Sequence, residues 1–539
     1  MCKNIKNKGT LLLLLLFCLE FLLYYLWLKE NKFYSFAVNS PMHSIESLGF
    51  YRFFYNNCNI FEILREFLRP SYWPRLNYVF TGFAINLFGR SYISMGLVNI
   101  FYLFILMFSV YGISFKITQN TYISICSAAF VSLYPGIIKF TGFYELQLGV
   151  AAFTSISVYF LVLSNNLKST FFCILFTLFF CLAMYMDRFC PLVFVLGPFL
   201  YVLNNSIKEM SGKKFVKEIL PNVLMIIIVT TILLKPFYLQ WLFSLDYNDL
   251  FSQGGVSGIS IWKEFINASI FVSLSRLFFY LNMLPGYHLG IFWTAVFLCA
   301  IYGYIKSPYR YKYLLWWWFL VPVIFFSFLP KKNLSYIIAA LAPVGIITSI
   351  GLSVVANKAK RIFIYALILL FGLLQFFIVR FAPNETSDKL FLLSHINNDV
   401  TIANIGSTRH NNEVTAWISN EVIKYFPSDK RLSLAILKDE YGFGPLDFEL
   451  GVSLLLRNPL NEVCLLYLED ELDNFSENKC DYIIVISNKE SIFTLGQIIK
   501  NAFSFRKRNR IVKVSEYSLV EQMDYCIFSV RVKIYKKNR

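Results

Sequence analysis

Residues 10–28 read TLLLLLLFCLEFLLYYLWL, and Glu20 is the one ionisable carboxylate in the run. A bilayer core about 30 Å thick needs about 20 apolar residues in one helix, since each residue adds about 1.5 Å. This run has that length. Lys3, Lys6 and Lys8 precede it and supply the basic flank of a helix whose N-terminus stays in the cytoplasm. A secretory signal has a shorter apolar core and a small-residue cleavage site, so the run is expected to persist as an uncleaved first span.

Outward from it the same pattern repeats, at about 95–115, 121–138, 147–163, 170–186, 190–203, 220–239, 288–305, 314–329, 335–355 and 362–380. Eleven spans are expected, which puts the termini on opposite sides of the membrane. Composition agrees. Hydrophobic residues make up 57% of the chain and charged residues 15%, where a soluble protein carries about a quarter of its residues charged. Mean hydropathy is +0.55. Abundant Phe (57) and Tyr (34) suit the acyl region and the interface respectively.

The net charge of +17 belongs to the membrane part: residues 1–383 hold 30 basic and 12 acidic side chains, whereas 384–539 hold 20 and 21. A basic bias of this kind marks loops beside an anionic leaflet and argues against a nucleic-acid partner. Every second loop is basic: Lys3/Lys6/Lys8, Lys116, Lys168, Lys208/Lys213/Lys214/Lys217, Lys306/Arg310/Lys312 and Lys358/Lys360/Arg361, with Glu209 and Glu218 as the acids among them. These loops are assigned to the cytoplasm. The alternate loops then face outside, including long ones at 29–94 and 240–287 and everything after the last span.

The fold class expected is a polytopic α-helical membrane protein with a membrane domain over 1–383 and a soluble, extracytoplasmic mixed α/β domain over 384–539. In the tail, apolar β-rich runs stand at 431–437, 463–468, 481–486, 511–519 and 525–535, and helical patterns near 411–425 and 491–503. Segment 77–89 (NYVFTGFAINLFG) is apolar but too short to span and reads as an interfacial helix. Eleven cysteines show no metal-ligand spacing such as CxxC, and no metal is expected.

Chemistry needs titratable groups, and the membrane part offers few. An ionisable group at membrane depth is costly unless paired or hydrated, which singles out Glu20, Glu145 and Asp187. Glu20 reads as a packing partner for a polar group. Glu145 sits in the short turn LYPGIIKFTGFYELQLGV, and Asp187 with Arg188 in AMYMDRFCPL. Lys331 and Lys332 occupy another outer turn, SFLPKKNLSY. Cations at outer turns run against the positive-inside bias. A lipid-linked phosphate would account for them, since Arg and Lys recognise phosphate by charge-assisted hydrogen bonds; a helix-end pair at Asp187–Arg188, or lysines snorkelling to head groups, is the plainer account. Glu62 and Glu66, with Arg65 and Arg69, read as a solvated helix face.

Taken in order, these stretches resemble the GT-C superfamily of polyprenyl-phosphate-sugar-dependent glycosyltransferases. Within it they are similar to bacterial relatives of dolichyl-phosphate-mannose–protein mannosyltransferases and to lipid A aminoarabinose transferases. Tyr72-Trp73-Pro74-Arg75-Leu76, followed by an apolar helix closing on Leu87-Phe88-Gly89, resembles the family's Trp-Pro-Pro-Leu to Leu-Phe-Gly segment, with Arg75 in place of the second Pro. Leu133-Tyr134-Pro135 with Phe143-Tyr144-Glu145 is similar to the second outer loop, which carries an acid. Phe328-Leu329-Pro330-Lys331-Lys332 with Tyr336 and Pro343 resembles the late Lys-x(3–4)-Tyr outer turn, with Ala339 where a Pro is often found. The likeness covers most of the chain. It departs in the first outer loop, where the family keeps a catalytic Asp: Ser40-Pro41-Met42-His43-Ser44-Ile45-Glu46 contains none, and Glu46 is the nearest acid.

The resemblance implies a bacterial inner-membrane enzyme that moves a sugar from a polyprenyl-phosphate donor to a glycan, lipid or protein acceptor, with inversion. It implies Glu46 as base and Glu145 as orienting acid. Arg188 with Lys331 or Lys332 would hold the donor phosphate, and His43, Asp187, Tyr144, Tyr336 and Arg75 are further site candidates. No cofactor is implied beyond the lipid-linked donor. A non-catalytic relative that binds a lipid-linked sugar, a transporter or flippase, and a polysaccharide polymerase or ligase are the competing readings.

Overall fold

The computed structural model describes residues 2–30, 40–56, 58–68, 74–142, 144–187, 190–244, 278–309, 311–328, 334–354 and 357–381, and five strands between 433 and 537. The chain divides into two units, one of residues 1–30, 58–81 and 95–401, the other of residues 31–57, 82–94 and 402–539.

Helix α1 (Cys2–Glu30) contains the opening apolar run. In the first loop follow α2 (Ser40–Tyr55), α3 (Ile60–Leu68) and α4 (Leu76–Phe88). The long α5 (Tyr92–Thr118) leads to α6 (Thr121–Leu133) and α7 (Pro135–Gly142), which meet at an angle of 61°. Pro135 explains the break: it supplies no N–H to continue α6 and forces the residue before it out of helical backbone. Tyr134 is accordingly extended, at φ −67° and ψ 133°. The chain continues through α8 (Gln147–Leu163), α9 (Thr170–Met184), α10 (Cys190–Glu209), α11 (Gly212–Glu218) and α12 (Leu220–Ser244). After α13 (Phe279–Met283) and a π-helical turn come α14 (Gly290–Lys306) and α15 (Lys312–Phe328). A 3-10 segment, Leu334–Ala340, then enters α16 (Leu341–Leu352), and α17 (Lys358–Phe381) ends the helical part.

Among the described residues, five helices are long and apolar enough to cross a membrane, or eight if each bent pair is one span. The chain is thus a multi-pass α-helical membrane protein. Of the eleven runs expected, those at 147–163, 170–186 and 314–329 form apolar helices of 17, 15 and 17 residues, at or just below the lower end of the range of about 17–25 residues that crosses a bilayer. Segment 77–89 forms one 13-residue helix, as expected. Where α14 meets α16, Gly303 and Gly351 let the backbones touch: a Cβ on Gly303 would run into the Gly351 carbonyl, and one on Gly351 into Ala300.

The turn between α8 and α9 is costly and well held. Asn165, Asn166 and Leu167 all have left-handed backbone, at φ 52°, 59° and 61°. Asn tolerates that region; Leu does so at about 1–2 kcal/mol. Asn222 Nδ2 donates to the Leu167 carbonyl at 2.7 Å, Ser206 Oγ to the Asn166 carbonyl at 2.8 Å, and Asn166 Nδ2 to Glu209 at 2.9 Å. Helices α10 and α12 therefore clamp this turn.

In the other unit the strands β1 (Ser433–Lys438), β2 (Glu462–Leu466), β3 (Tyr482–Asn488), β4 (Tyr517–Tyr525) and β5 (Val530–Lys537) form one sheet in the order β2-β1-β3-β5-β4. The β1 strand is parallel to β2 and β3, with Ile436 opposite Leu465 and Ile484. The other pairings are antiparallel. Near-continuous apolar runs in β1 and β3 suit the parallel centre of a sheet; alternation in β5, Val530-Arg531-Val532-Lys533-Ile534, suits one face buried and one wet. The expected strand at 511–519 is observed at 517–525, and the expected helices at 411–425 and 491–503 lie outside the described residues. Helix α2 packs on the end of α4: a Cβ on Gly82 would stand 2.8 Å from Phe50 Cβ and from the Tyr51 nitrogen, and the Phe54 and Phe83 rings meet at 5.7 Å.

Candidate functional site

Within the first unit, three separate stretches come together around the start of α8. The first is the N-terminal end of α4. Its Leu76 N–H donates to the Tyr185 carbonyl at 3.2 Å, so the first loop is stitched to the turn that ends α9. Arg75, one residue earlier, is buried; its Nη1 donates to the Glu66 carbonyl at 2.9 Å and pairs with the Glu66 carboxylate. The structure therefore gives Arg75 a neighbour in α3, and Glu66 is this ion-pair partner instead of part of a solvated face. Glu62 and Arg65 are exposed as expected.

The second stretch is the turn holding Tyr144 and Glu145. Asn99 Nδ2 on α5 donates to the carbonyls of Phe140 and Thr141, at 3.4 and 3.3 Å. These carbonyls end α7 and have no partner within it, so the bonds anchor the chain just before the turn. Tyr144 is buried and its hydroxyl donates to Thr81 Oγ1 on α4 at 2.7 Å. One turn back on α4, Asn77 Oδ1 accepts from the Tyr102 hydroxyl at 2.8 Å. Asn77 and Thr81 thus present one polar edge of a largely apolar helix.

Glu145, held by this framework, is 9% exposed. Its carboxylate has no hydrogen-bond or ion-pair partner among the described residues. Burial pushes its pKa up from 4.5 to about 7, because removing a carboxylate from water disfavours the charged form. A carboxyl poised there exchanges a proton readily near neutral pH, the property asked of a general acid or base.

The third stretch is the turn from Tyr185 to Asp187. A Cβ on Gly149, in the first turn of α8, would lie 3.0 Å from Met186 Sδ and 3.3 Å from Tyr102 Cε2. Asp187 is buried and its Oδ1 accepts from the Cys190 N–H at 3.4 Å, at the start of α10. The 3-10 segment Leu334–Ala340 also packs on α8. Its Tyr336 is half-buried, with its ring 5.3 Å from that of Phe326.

The expected phosphate ligands Arg188, Lys331 and Lys332 lie outside the described residues. His43 and Glu46 belong to α2, in the second unit. His43 is buried, which lowers its pKa to about 4; its imidazole is neutral at pH 7. Glu46 is half-exposed. Sequence reasoning missed Asn77, Thr81, Asn99 and Tyr102. The signal for the first two was present: polar residues four apart in an apolar helix share a face.

No protein-family model matches the sequence, and the search of curated proteins returns no match. Solved structures do match. ArnT from Cupriavidus metallidurans, bound to undecaprenyl phosphate, superposes with a TM-score of 0.58 at 11% identity, over 97% of each chain. The apo state of the same protein gives 0.56 at 10% identity, again over 97% of each. The archaeal oligosaccharyltransferase AglB from Archaeoglobus fulgidus, in complex with an inhibitory peptide and a dolichol-phosphate, gives 0.46 at 11% identity over 89% of this chain and 69% of that one. The chain shares the fold of this ArnT along almost its whole length.

Proposed function

We propose that this protein is a membrane glycosyltransferase that takes a sugar from a polyprenyl-phosphate donor and passes it to an acceptor at the outer face of the membrane. The reading rests chiefly on Glu145, a buried carboxyl near pKa 7 in a turn tied to α4. The fold shared with a protein that binds undecaprenyl phosphate supports the donor class. Eleven crossings, the N-terminus inside and the tail outside complete the reading; the basic loops support them.

In this mechanism Glu145 takes the proton of an acceptor hydroxyl as its oxygen attacks the anomeric carbon. The bond from that carbon to the phosphate oxygen breaks, its electron pair stays on the phosphate, and polyprenyl phosphate leaves. Direct displacement inverts the anomeric centre. Arg188 with Lys331 or Lys332 would offset the charge growing on the leaving phosphate. Asp187 and Tyr144 position the turns, and Glu46 is the second carboxylate to test as base.

The test uses the full chain in liposomes of phosphatidylethanolamine and phosphatidylglycerol with undecaprenyl-phosphate sugars carrying a radiolabel. The parent should release undecaprenyl phosphate and transfer label to an envelope extract, and Glu145→Gln should lose both. A parent that binds undecaprenyl phosphate and turns over none of the donors would replace this reading with a non-catalytic binder.

A further inference from the structure

Helix α3 (Ile60–Leu68) has no buried residue. A nine-residue helix is marginal in water on its own propensity, since nucleation costs more than so few bonds return. Its N-terminus is closed by a reciprocal cap: the Glu62 N–H donates to Asn59 Oδ1 at 2.9 Å and the Asn59 N–H to Glu62 Oε2 at 3.3 Å. Its C-terminal end is tied down by the Glu66–Arg75 pair and by Phe67, whose ring lies 4.9 Å from that of Tyr185. Between these ties Ile60, Phe61 and Leu64 stand open, at 69, 77 and 48% exposure. Spacings of three and four place Phe61 and Ile60 beside Leu64 on one side.

We infer that α3 is a membrane-surface helix whose Ile60, Phe61 and Leu64 side chains enter the lipid of the leaflet into which α9 ends. The position carries the inference. Tyr185, whose ring Phe67 contacts at a tilt of 45°, caps the C-terminal end of α9, and the open side of α9 is itself apolar, at Phe171, Ile174 and Leu178. A helix fixed at the end of a lipid-facing helix meets the boundary between acyl chains and head groups. There an apolar side enters lipid while exposed Glu62 and Arg65 stay among head groups. With one charge of each sign exposed, attachment draws on apolar burial more than on anionic lipid.

The test places p-benzoylphenylalanine at position 61, 64, 62 or 65 in turn, in the full chain reconstituted into phosphatidylethanolamine–phosphatidylglycerol liposomes. Irradiation should add the mass of a phospholipid at 61 and 64 and not at 62 or 65. Replacing phosphatidylglycerol by phosphatidylcholine should leave the yield unchanged. A protein–protein crosslink from 61 or 64, or equal lipid adducts at all four positions, would overturn the assignment. Because Phe61 and Leu64 are exposed, each labelled chain is expected to fold, and circular dichroism checks that it has.

Discussion

The Tyr144 hydroxyl donates to Thr81 Oγ1 at 2.7 Å, joining two buried residues 63 apart in sequence. This bond fixes the turn that carries Glu145 to the helix that ends the first loop. Tyr144→Phe is expected to cost about 1–3 kcal/mol, because Thr81 is left with a buried unsatisfied hydroxyl. Combining it with Thr81→Val removes both partners and should recover most of that loss. Unfolding of the three variants in detergent measures the coupling. Additive losses would mean that the bond does not form.

The turn at Asn165–Leu167 gives a prediction about folding alone. Asn222→Ala removes the donor to the Leu167 carbonyl and the acceptor of the Thr170 hydroxyl, at 2.9 Å. The left-handed backbone then loses one of its clamps, and stability should fall by about 1–3 kcal/mol. Binding of undecaprenyl phosphate by the folded fraction should be unchanged, since this turn lies at the other end of α9 from Tyr185. Equal loss of binding and of stability would contradict the separation.

Much of the fold was legible because bilayer physics leaves few choices. Runs such as 10–28 and 95–115 can be little else, and the strands at 433–438, 462–466 and 482–488 stood within two residues of their apolar runs. What sequence did not give was the break at Pro135 as a 61° bend, or the short length of α9. The site was half legible. Glu145 stood out as a carboxylate among apolar residues, but its support did not. Asn99 reaches α7 and Tyr102 reaches α4 through pairings that only the packed helices create. Arg75 entered as a site candidate through the family resemblance, and its ion-pair partner Glu66, nine residues earlier on α3, was read as part of a solvated face.

The orientation drawn from the basic loops has a direct check. Alkaline phosphatase fused after Arg539 should be active, and green fluorescent protein fused there should be dark, because the first folds only outside and the second only inside. Fusions within the Gly212–Glu218 segment, which carries Lys213, Lys214 and Lys217, should give the reverse. The opposite pattern at both places would invert the topology.

The last prediction decides which carboxylate is the base. In the folded chain the Glu145 carboxyl keeps its proton up to about pH 7, whereas its ordinary value is 4.5. As the ionised form is the one that accepts a proton, turnover in the parent should rise with pH through about 7 and then level off. The stability effect has the opposite sign. Below pH 4.5 the group is neutral in both states and costs nothing. Between 4.5 and 7 the unfolded chain releases the proton first, so stability falls as pH rises, and above 7 the penalty is constant. Glu145→Gln should therefore be more stable than the parent above pH 7, yet turn over about 100- to 10,000-fold more slowly. Glu46→Gln separates the two candidates. If Glu145 is the base, Glu46→Gln keeps the rise near pH 7 and most of the rate. Loss of turnover in Glu46→Gln, with the parent profile intact in Glu145→Gln, would return the base to the first loop. Glu62→Gln, on the exposed side of α3, should change neither profile.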